Sequence, residues 1–540
     1  MVGPWALAGG VMVDAETIIL SSEKPGVQPQ AILFPKRPET GSEPPKARIV
    51  FITPPYDRIA PGYEFVKNVT NQAPSLGLLH LAAEVRLYNY EPSIIESDIH
   101  NLSVDDVVAR VVATRPEYVG ITLFTVGVWS AAEISRKIKG ILPATTIIVG
   151  GPHISSMAKE TMARFHEFDV AIVGEGEEAL VRLLESLQAR RGLLSVPGAV
   201  YLEGNEVRSN PTLPIARDLD HLPMPAWDLL PDFPNAYPAA VYDFPRLPVA
   251  TIAASRGCPF HCKFCDTSTF GAQVRAYSPE RVFEMIQHLQ SRYGVRHILF
   301  VDDLFLASKP RTRKLCELIL STGTKITWSC TARVDTVKPD ILELMKKAGC
   351  WEISFGLESG SNEVLQRMDK AADIERSEQA IRWTAAAGIR TKGLFILGYP
   401  GETLETIRVT KEFIRRIPMT IMNLTKFTPY PGSPIYRDLY GTNIRDDHWK
   451  KMNGMNFLWA PEGMTFEELD RQYLDILVSF YRRPRMMWYY TRLTLRYPAH
   501  LVRVMKFLGQ FVLAKLRSLL TGRGGLLVQA QSQQPLDRVD

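Results

Sequence analysis

The stretch SRGCPFHCKFCD, residues 255–266, packs Cys258, Cys262 and Cys265 into eight residues, and the next cysteine is Cys316. Thiolates at this spacing bind metal. A structural zinc site closes a tetrahedron with four ligands, and a ferredoxin-type cluster takes four thiolates. Three ligands leave one coordination position open, as a centre that binds a small molecule requires. Cys316, Cys330 and Cys350 match no ligand spacing and read as structural thiols, buried or half-buried. Six cysteines in 540 residues are too few for a disulfide scaffold. This usage implies a reducing, cytoplasmic compartment and a metal or redox role.

The elements that position the triad follow from the hydrophobic rhythm. Residues 1–47 are irregular and rich in Pro, Gly and Ser. From 48 to 190, the apolar runs ARIVFIT, PSIIES, EYVGITLF, TTIIVGG and VAIVGEGE alternate with helical patterns at 75–88, 103–114, 130–141 and 177–189. Strands alternating with helices predict an α/β fold, a doubly wound parallel sheet covered on both faces. Ligands bind such sheets beyond the carboxyl ends of the strands. Two glycine-rich turns fall there, GGPH with Gly150 and Gly151, and GEGE with Gly174 and Gly176. On pattern alone they are either ligand loops or generic α/β turns.

A proline-dense linker covers 191–246, and a second rhythm covers 247–440. PVATIAA, HILFVDD, KITWSCTA, WEISFGLE, RTKGLFILG and IMNLTKFTPY make six βα repeats, a partial (β/α)6 barrel of the TIM type. Chemistry is expected at the C-terminal strand ends, and the cysteine triad follows the first of these strands. Residues 441–540 read as a helical C-terminal domain. Ten basic residues and no acidic one lie between Asp475 and Asp537, interleaved with Met486, Met487, Trp488, Tyr489 and Tyr490. That pattern predicts either an interfacial helix on an anionic membrane or a helical cap on the main domain. Nucleic acid is not expected, because no recognised module accompanies the charge. The apolar start MVGPWALAGGVMV lacks a basic lead-in and a cleavage signal, so no signal peptide is expected. No apolar run reaches the length of a membrane span.

The C-x3-C-x2-C spacing, with Phe264 before the last cysteine, resembles the radical S-adenosylmethionine (SAM) superfamily. The resemblance implies that the three thiolates hold a [4Fe–4S] cluster. Its free iron then chelates SAM, whose reductive cleavage gives a 5′-deoxyadenosyl radical. It implies an electron supply from a low-potential flavodoxin or ferredoxin. Further roles are carried over at later strand ends. FVDD places Asp302 and Asp303 where many members have a glycine-glycine-glutamate motif for the SAM amino group, so Asp302 or a carbonyl takes that role here. TARVD places Arg333 towards the SAM carboxylate. FGLESGS places Glu358 towards ribose hydroxyls or a substrate proton. ILGYPGET places Gly398 and Gly401 near the adenine.

Residues 48–190 resemble the cobalamin-binding module fused ahead of this core, through ITPPY, APSLGLLHLAA, VGGPH and VGEGEEAL. The resemblance implies that Gly150, Gly151, Gly174 and Gly176 accommodate the nucleotide tail and that Thr122 hydrogen-bonds it. DIHNLS (98–103) imitates the sequence by which related modules supply a histidine to cobalt. It follows the second strand rather than the first, and Ser103 replaces the last glycine. His100 is therefore not expected to ligate cobalt, and His153 is expected to be structural.

The leading expectation is a cobalamin-dependent radical SAM enzyme, most simply a methyltransferase acting on an unactivated carbon of a small molecule, with a lipid, tetrapyrrole or other natural product as substrate. The family also includes non-methylating cyclases and hopanoid-modifying enzymes. A non-catalytic cobalamin or redox sensor is the alternative class. A methylthiotransferase would need further cluster cysteines in the first domain, and residues 1–257 contain none.

Overall fold

The computed structural model describes residues 44–56, 72–212, 218–441 and 446–520. Most of the N-terminal lead-in and the last twenty residues lie outside them. Five parallel strands open the chain: β1 (Arg48–Thr53), β2 (Glu91–Glu96), β3 (Tyr118–Thr122), β4 (Thr146–Gly150) and β5 (Val170–Ile172). A hairpin, β6 (Ala199–Glu203) and β7 (Glu206–Ser209), adds to the edge antiparallel, giving the order β2-β1-β3-β4-β5-β6-β7. This hairpin lies inside the stretch expected to be linker. The proline density hid it, because its strands are short and end on Gly204 and Pro211.

Side-chain alternation divides the first sheet between two helical layers. Ile49 and Phe51 pack with α1 (Leu76–Leu87), whereas Val50 and Ile52 pack with α2 (Val104–Thr114) and α3 (Val128–Ile141). Helix α4 (Pro152–Arg164) joins the second layer and α5 (Glu177–Gln188) the first. The polar run SSMAKE hides α4 in the sequence, but Pro152 at its first turn suits a helix start.

The second sheet is wholly parallel. Its strands are β8 (Val249–Ile252), β11 (His297–Phe300), β12 (Thr327–Ala332), β13 (Cys350–Glu358), β14 (Arg390–Leu397) and β15 (Ile421–Lys426), in the order β15-β14-β13-β12-β11-β8. Each strand lies beside the next in sequence, so the sheet curls as a half barrel. A two-rung antiparallel pair, β9 (Ser255–Arg256) and β10 (Arg275–Ala276), brackets the cysteine loop. The described residues end in helices, among them Phe466–Tyr481, Pro484–Arg496 and Pro498–Leu520. The segment before them packs back on the first sheet, where Tyr436, Trp449, Met452 and Leu458 share a core with Val128, Ile154 and Met162.

Candidate active site

The cysteine loop is fixed at both ends. Gly257 sits at φ +84°, and a Cβ there would lie 2.2 Å from the Gln273 carbonyl oxygen. Only glycine makes that approach without strain. The Gly257 N–H donates to Asp303 Oδ2 at 2.9 Å. Farther along, Lys263 N–H donates to the Met368 carbonyl and Ile435 N–H donates to the Lys263 carbonyl, both at 2.9 Å. Phe264 anchors the loop against the cluster of Val364, Met368, Tyr399, Phe427 and Ile435. Gly257→Ala is expected to cost at least about 1–3 kcal/mol from backbone strain alone. A lower melting temperature checks it; an unchanged one removes the strain argument.

Cys262 is buried, Cys258 half-buried and Cys265 exposed. Burial pushes the Cys262 thiol up, while Lys370 and Arg333 pull it back and Cys258 adds to the rise. Thiols crowded beside two buried cations are a donor set suited to a charged cluster.

Arg333 lies beneath the triad. Its guanidinium grips Asp335 with two bonds of 3.1 Å, donates to the Lys370 carbonyl at 3.0 Å and lies 3.5 Å over the Phe260 ring. Its remaining nitrogen stands 4.0 Å from Cys262 Sγ. The expected reach to a SAM carboxylate is thus largely taken up by protein partners, which make Arg333 a clamp on the loop.

Glu358 ends β13 at φ +61°, beside a register shift against β14. Its Oε1 accepts from Lys370 Nζ at 2.7 Å in a buried pair, and the ammonium lies 5.6 Å from the Phe264 ring. Lys370 had no motif to reveal it, since it comes from a turn twelve residues beyond Glu358.

Asp302 departs from its expected place. Its carboxylate is buried and takes hydrogen bonds from Ala254 N–H at 3.0 Å and from Ser255 Oγ. Burial pushes it up to about 6 against those bonds. It braces the strand end, while its neighbour Asp303 is exposed and borders the triad. Gly398 and Gly401 have positive φ, but the space over them holds Phe457 and Arg367. Buried Glu402, raised by burial to about 7, accepts from Gly398 N–H at 2.6 Å and holds this turn.

In the first sheet the strand order reverses between β1 and β3, which opens the crevice of a doubly wound fold. Thr122 and Gly150 end adjacent strands. Gly151 has φ +96°, and a Cβ there would meet Thr122 Oγ1 at 2.7 Å. Ser155 Oγ donates to the Gly151 carbonyl and accepts from Gly174 N–H, tying both glycine turns together. Gly174 faces open space, whereas Gly176 packs on Leu81. Phe124 stands half exposed just past the end of β3, an apolar position that the sequence reading passed over. His100 follows the edge strand β2 and packs edge-on to Tyr237 at 6.4 Å. Ser103 proves to be the N-cap of α2, in a capping box with Asp106. His153 is fully engaged, with its ring nitrogens 3.1 and 2.9 Å from Thr125 Oγ1 and Thr161 Oγ1. Burial lowers it to about 3.

The two units meet at this edge. Arg256, one residue before Gly257, bonds Glu175 at 2.9 Å and Glu177 at 2.6 Å, and Arg275 bonds Glu175 as well. The GEGE turn of the first sheet therefore holds both strands that bracket the cysteine loop.

Comparison with known proteins agrees with this arrangement. The Radical SAM superfamily model matches residues 252–414, and the B12 binding domain model matches residues 65–184. An uncharacterised methyltransferase of Pyrococcus horikoshii is 30% identical over 443 residues, 82% of this chain and 94% of its own. The chain belongs to the cobalamin-binding radical SAM family. It is a radical SAM enzyme whose cofactors are a [4Fe–4S] cluster, SAM and cobalamin. The anaerobic magnesium-protoporphyrin IX monomethyl ester cyclase of Cereibacter sphaeroides is 27% identical over 447 residues, 81% of this chain and 70% of its own. The fold is that of the radical SAM methyltransferase TsrM from Kitasatospora setae, solved with cobalamin and a [4Fe–4S] cluster. The TM-score is 0.60 at 17% identity, over 73% of this chain and 77% of that one.

Proposed function

We propose that this family member is a methyltransferase that adds a methyl group to an unactivated carbon of an apolar small molecule, a lipid or tetrapyrrole. The observation that carries the reading is the Arg256–Glu175–Glu177 contact, which brings the GEGE turn after β5 of the first sheet against the strand that leads into the cysteine loop of the half barrel. Two strand-end sites tied together by ion pairs between their loops suit a reaction that needs both cofactors at once. When bound, the cluster supplies electrons for one-electron cleavage of SAM, and cobalamin supplies a methyl group that can be passed to a carbon radical.

The protein's part is placement and exclusion of water. Cys258, Cys262 and Cys265 would hold the cluster. Arg333 and Lys370 offset its charge, and Arg333 fixes the loop by its stack on Phe260. Asp303 and Glu358 offer carboxylates to the polar groups of SAM, with Gly398 and Gly401 shaping the adjoining turn. Thr122, Gly150, Gly151, Gly174 and Gly176 border the cobalamin crevice, with Phe124 against its apolar face. Cys265, the exposed cysteine, marks the side on which a flavodoxin or ferredoxin would deliver electrons.

The likeness to the Cereibacter cyclase favours a second reading, a non-methylating oxidation on a tetrapyrrole. An anaerobic preparation with its cluster rebuilt and hydroxocobalamin supplied tests the proposal. Near-stoichiometric cobalamin is expected, with a cob(II)alamin paramagnetic resonance spectrum free of nitrogen superhyperfine splitting. Reduction with labelled SAM should give 5′-deoxyadenosine and a labelled methyl product from apolar ring acceptors. Deoxyadenosine with no label in any product would favour the cyclase reading. Nitrogen splitting would mean a nitrogen ligand on cobalt and would reopen His100 beside the cofactor's own dimethylbenzimidazole.

A further inference from the structure

The last two described helices carry a face that the described residues do not cover. In Pro484–Arg496, Met486 and Leu493 are buried and point inward. Trp488 and Leu495 lie a heptad apart on the opposite side, 69% and 72% exposed. Arg485, Arg492 and Arg496 are exposed along one edge of that side at helical spacing. The following helix repeats the pattern, with Leu501, Val502, Met505 and Leu508 exposed beside Lys506. An indole this open to water, continuous with a leucine and bordered by arginines, is costly to leave in solvent.

We propose that this face seats the enzyme on an anionic lipid bilayer, lying in the interface with Trp488 and Leu495 at the depth of the acyl boundary and the arginines among the headgroups. The chemistry of the face selects this occupant. Interfacial helices combine a Trp- and Leu-bearing apolar side with Arg and Lys flanks, and tryptophan favours the headgroup level. No acidic residue lies between Asp475 and Asp537, so two copies pressed face to face would oppose like charges. Among the described residues no helix is long and apolar enough to cross a membrane, so the contact is peripheral. The inference is independent of the methyl-transfer reading, since it rests on helices remote from the cysteine loop in sequence.

The test is vesicle flotation with the full chain carrying its cofactors, using phosphatidylcholine vesicles with and without phosphatidylglycerol. Binding is expected only where phosphatidylglycerol is present, and it should weaken as salt rises from about 0.1 M to about 1 M. R485Q/R492Q/R496Q should cut partitioning by roughly a hundredfold, at about fivefold per charge. W488S/L495S should abolish the binding that survives high salt. Both variants alter exposed positions only, so deoxyadenosine formation in solution should be unchanged and serves as the folding control. Equal binding to both vesicle types, no binding to either, or wild-type binding by both variants would overturn the proposal. So would a wild-type dimer in solution that W488S/L495S turns into a monomer. A failed flotation with intact SAM cleavage would refute the membrane face and leave the enzymatic reading standing.

Discussion

Replacing Arg256 with methionine is expected to destabilise the protein by about 3–5 kcal/mol, the usual cost of removing one partner from a buried ion pair. The guanidinium is 6% exposed, between Glu175 at 2.9 Å and Glu177 at 2.6 Å. Burial disfavours its charge, but Glu177 and Glu175 more than restore it and hold the group above its usual range. In the variant Glu175 keeps Arg275, whereas Glu177 loses its cation. A double-mutant cycle with Glu177→Gln should show strong coupling, the double variant losing much less than the sum of the singles. Additive losses would mean that the contact does not act as a pair.

The same pair sets a pH dependence. Burial would raise the Glu177 carboxyl, but Arg256 outweighs it, and the group is held down from 4.5 to about 2. A depressed carboxylate binds fewer protons in the folded state than in the unfolded one. Its contribution is therefore fully present above about pH 4.5 and is lost as pH falls through about 2. Denaturation of wild type and of the Arg256→Met/Glu177→Gln double variant should converge across that window. Parallel curves would remove Glu177 from the account.

The second large effect falls on the triad. Cys262→Ala is expected to abolish cluster-dependent absorbance and to reduce deoxyadenosine formation by more than about 100-fold, the upper range for losing a mere outer-shell partner. Arg333→Met should fall within that outer-shell range, about 10–100-fold. The arginine touches the sulfur at 4.0 Å yet spends its other contacts on Asp335, the Lys370 carbonyl and Phe260. Iron content per chain separates the two roles. Cys262→Ala should not hold an intact cluster under any reconstitution, whereas Arg333→Met should hold one that is lost faster on dilution. Both variants should retain cobalamin like the wild type. Equal effects of both changes on iron content would make Arg333 as necessary as a ligand.

Much of this protein is determined by short-range sequence. The triad is contiguous, so its spacing is fixed by covalent geometry whatever the rest of the chain does. The parallel strands of both sheets are legible because such strands are buried on both faces and are rich in apolar residues, whereas the antiparallel edge hairpin β6–β7 is not. Gly257, Gly151 and Gly174 stand where backbone must turn through positive φ. The likeness to a family was legible for the same reason, since its motifs are strand-end loops of a few residues each.

Tertiary structure decided what depends on distance in sequence. Asp302 and Asp303 are adjacent and chemically alike, and only the packing of Ala254 and Ser255 buries one and leaves the other beside the triad. Lys370 became the partner of Glu358 because a short helix returns the chain over the end of β13. Arg333 was expected to meet a ligand carboxylate, but Asp335 and two carbonyls reach it first. The clamp from Glu175 and Glu177 to Arg256 and Arg275 joins residues up to 100 positions apart. No local pattern marks such a contact, because an isolated Glu or Arg reads as a solvated charge until folding removes the water around it.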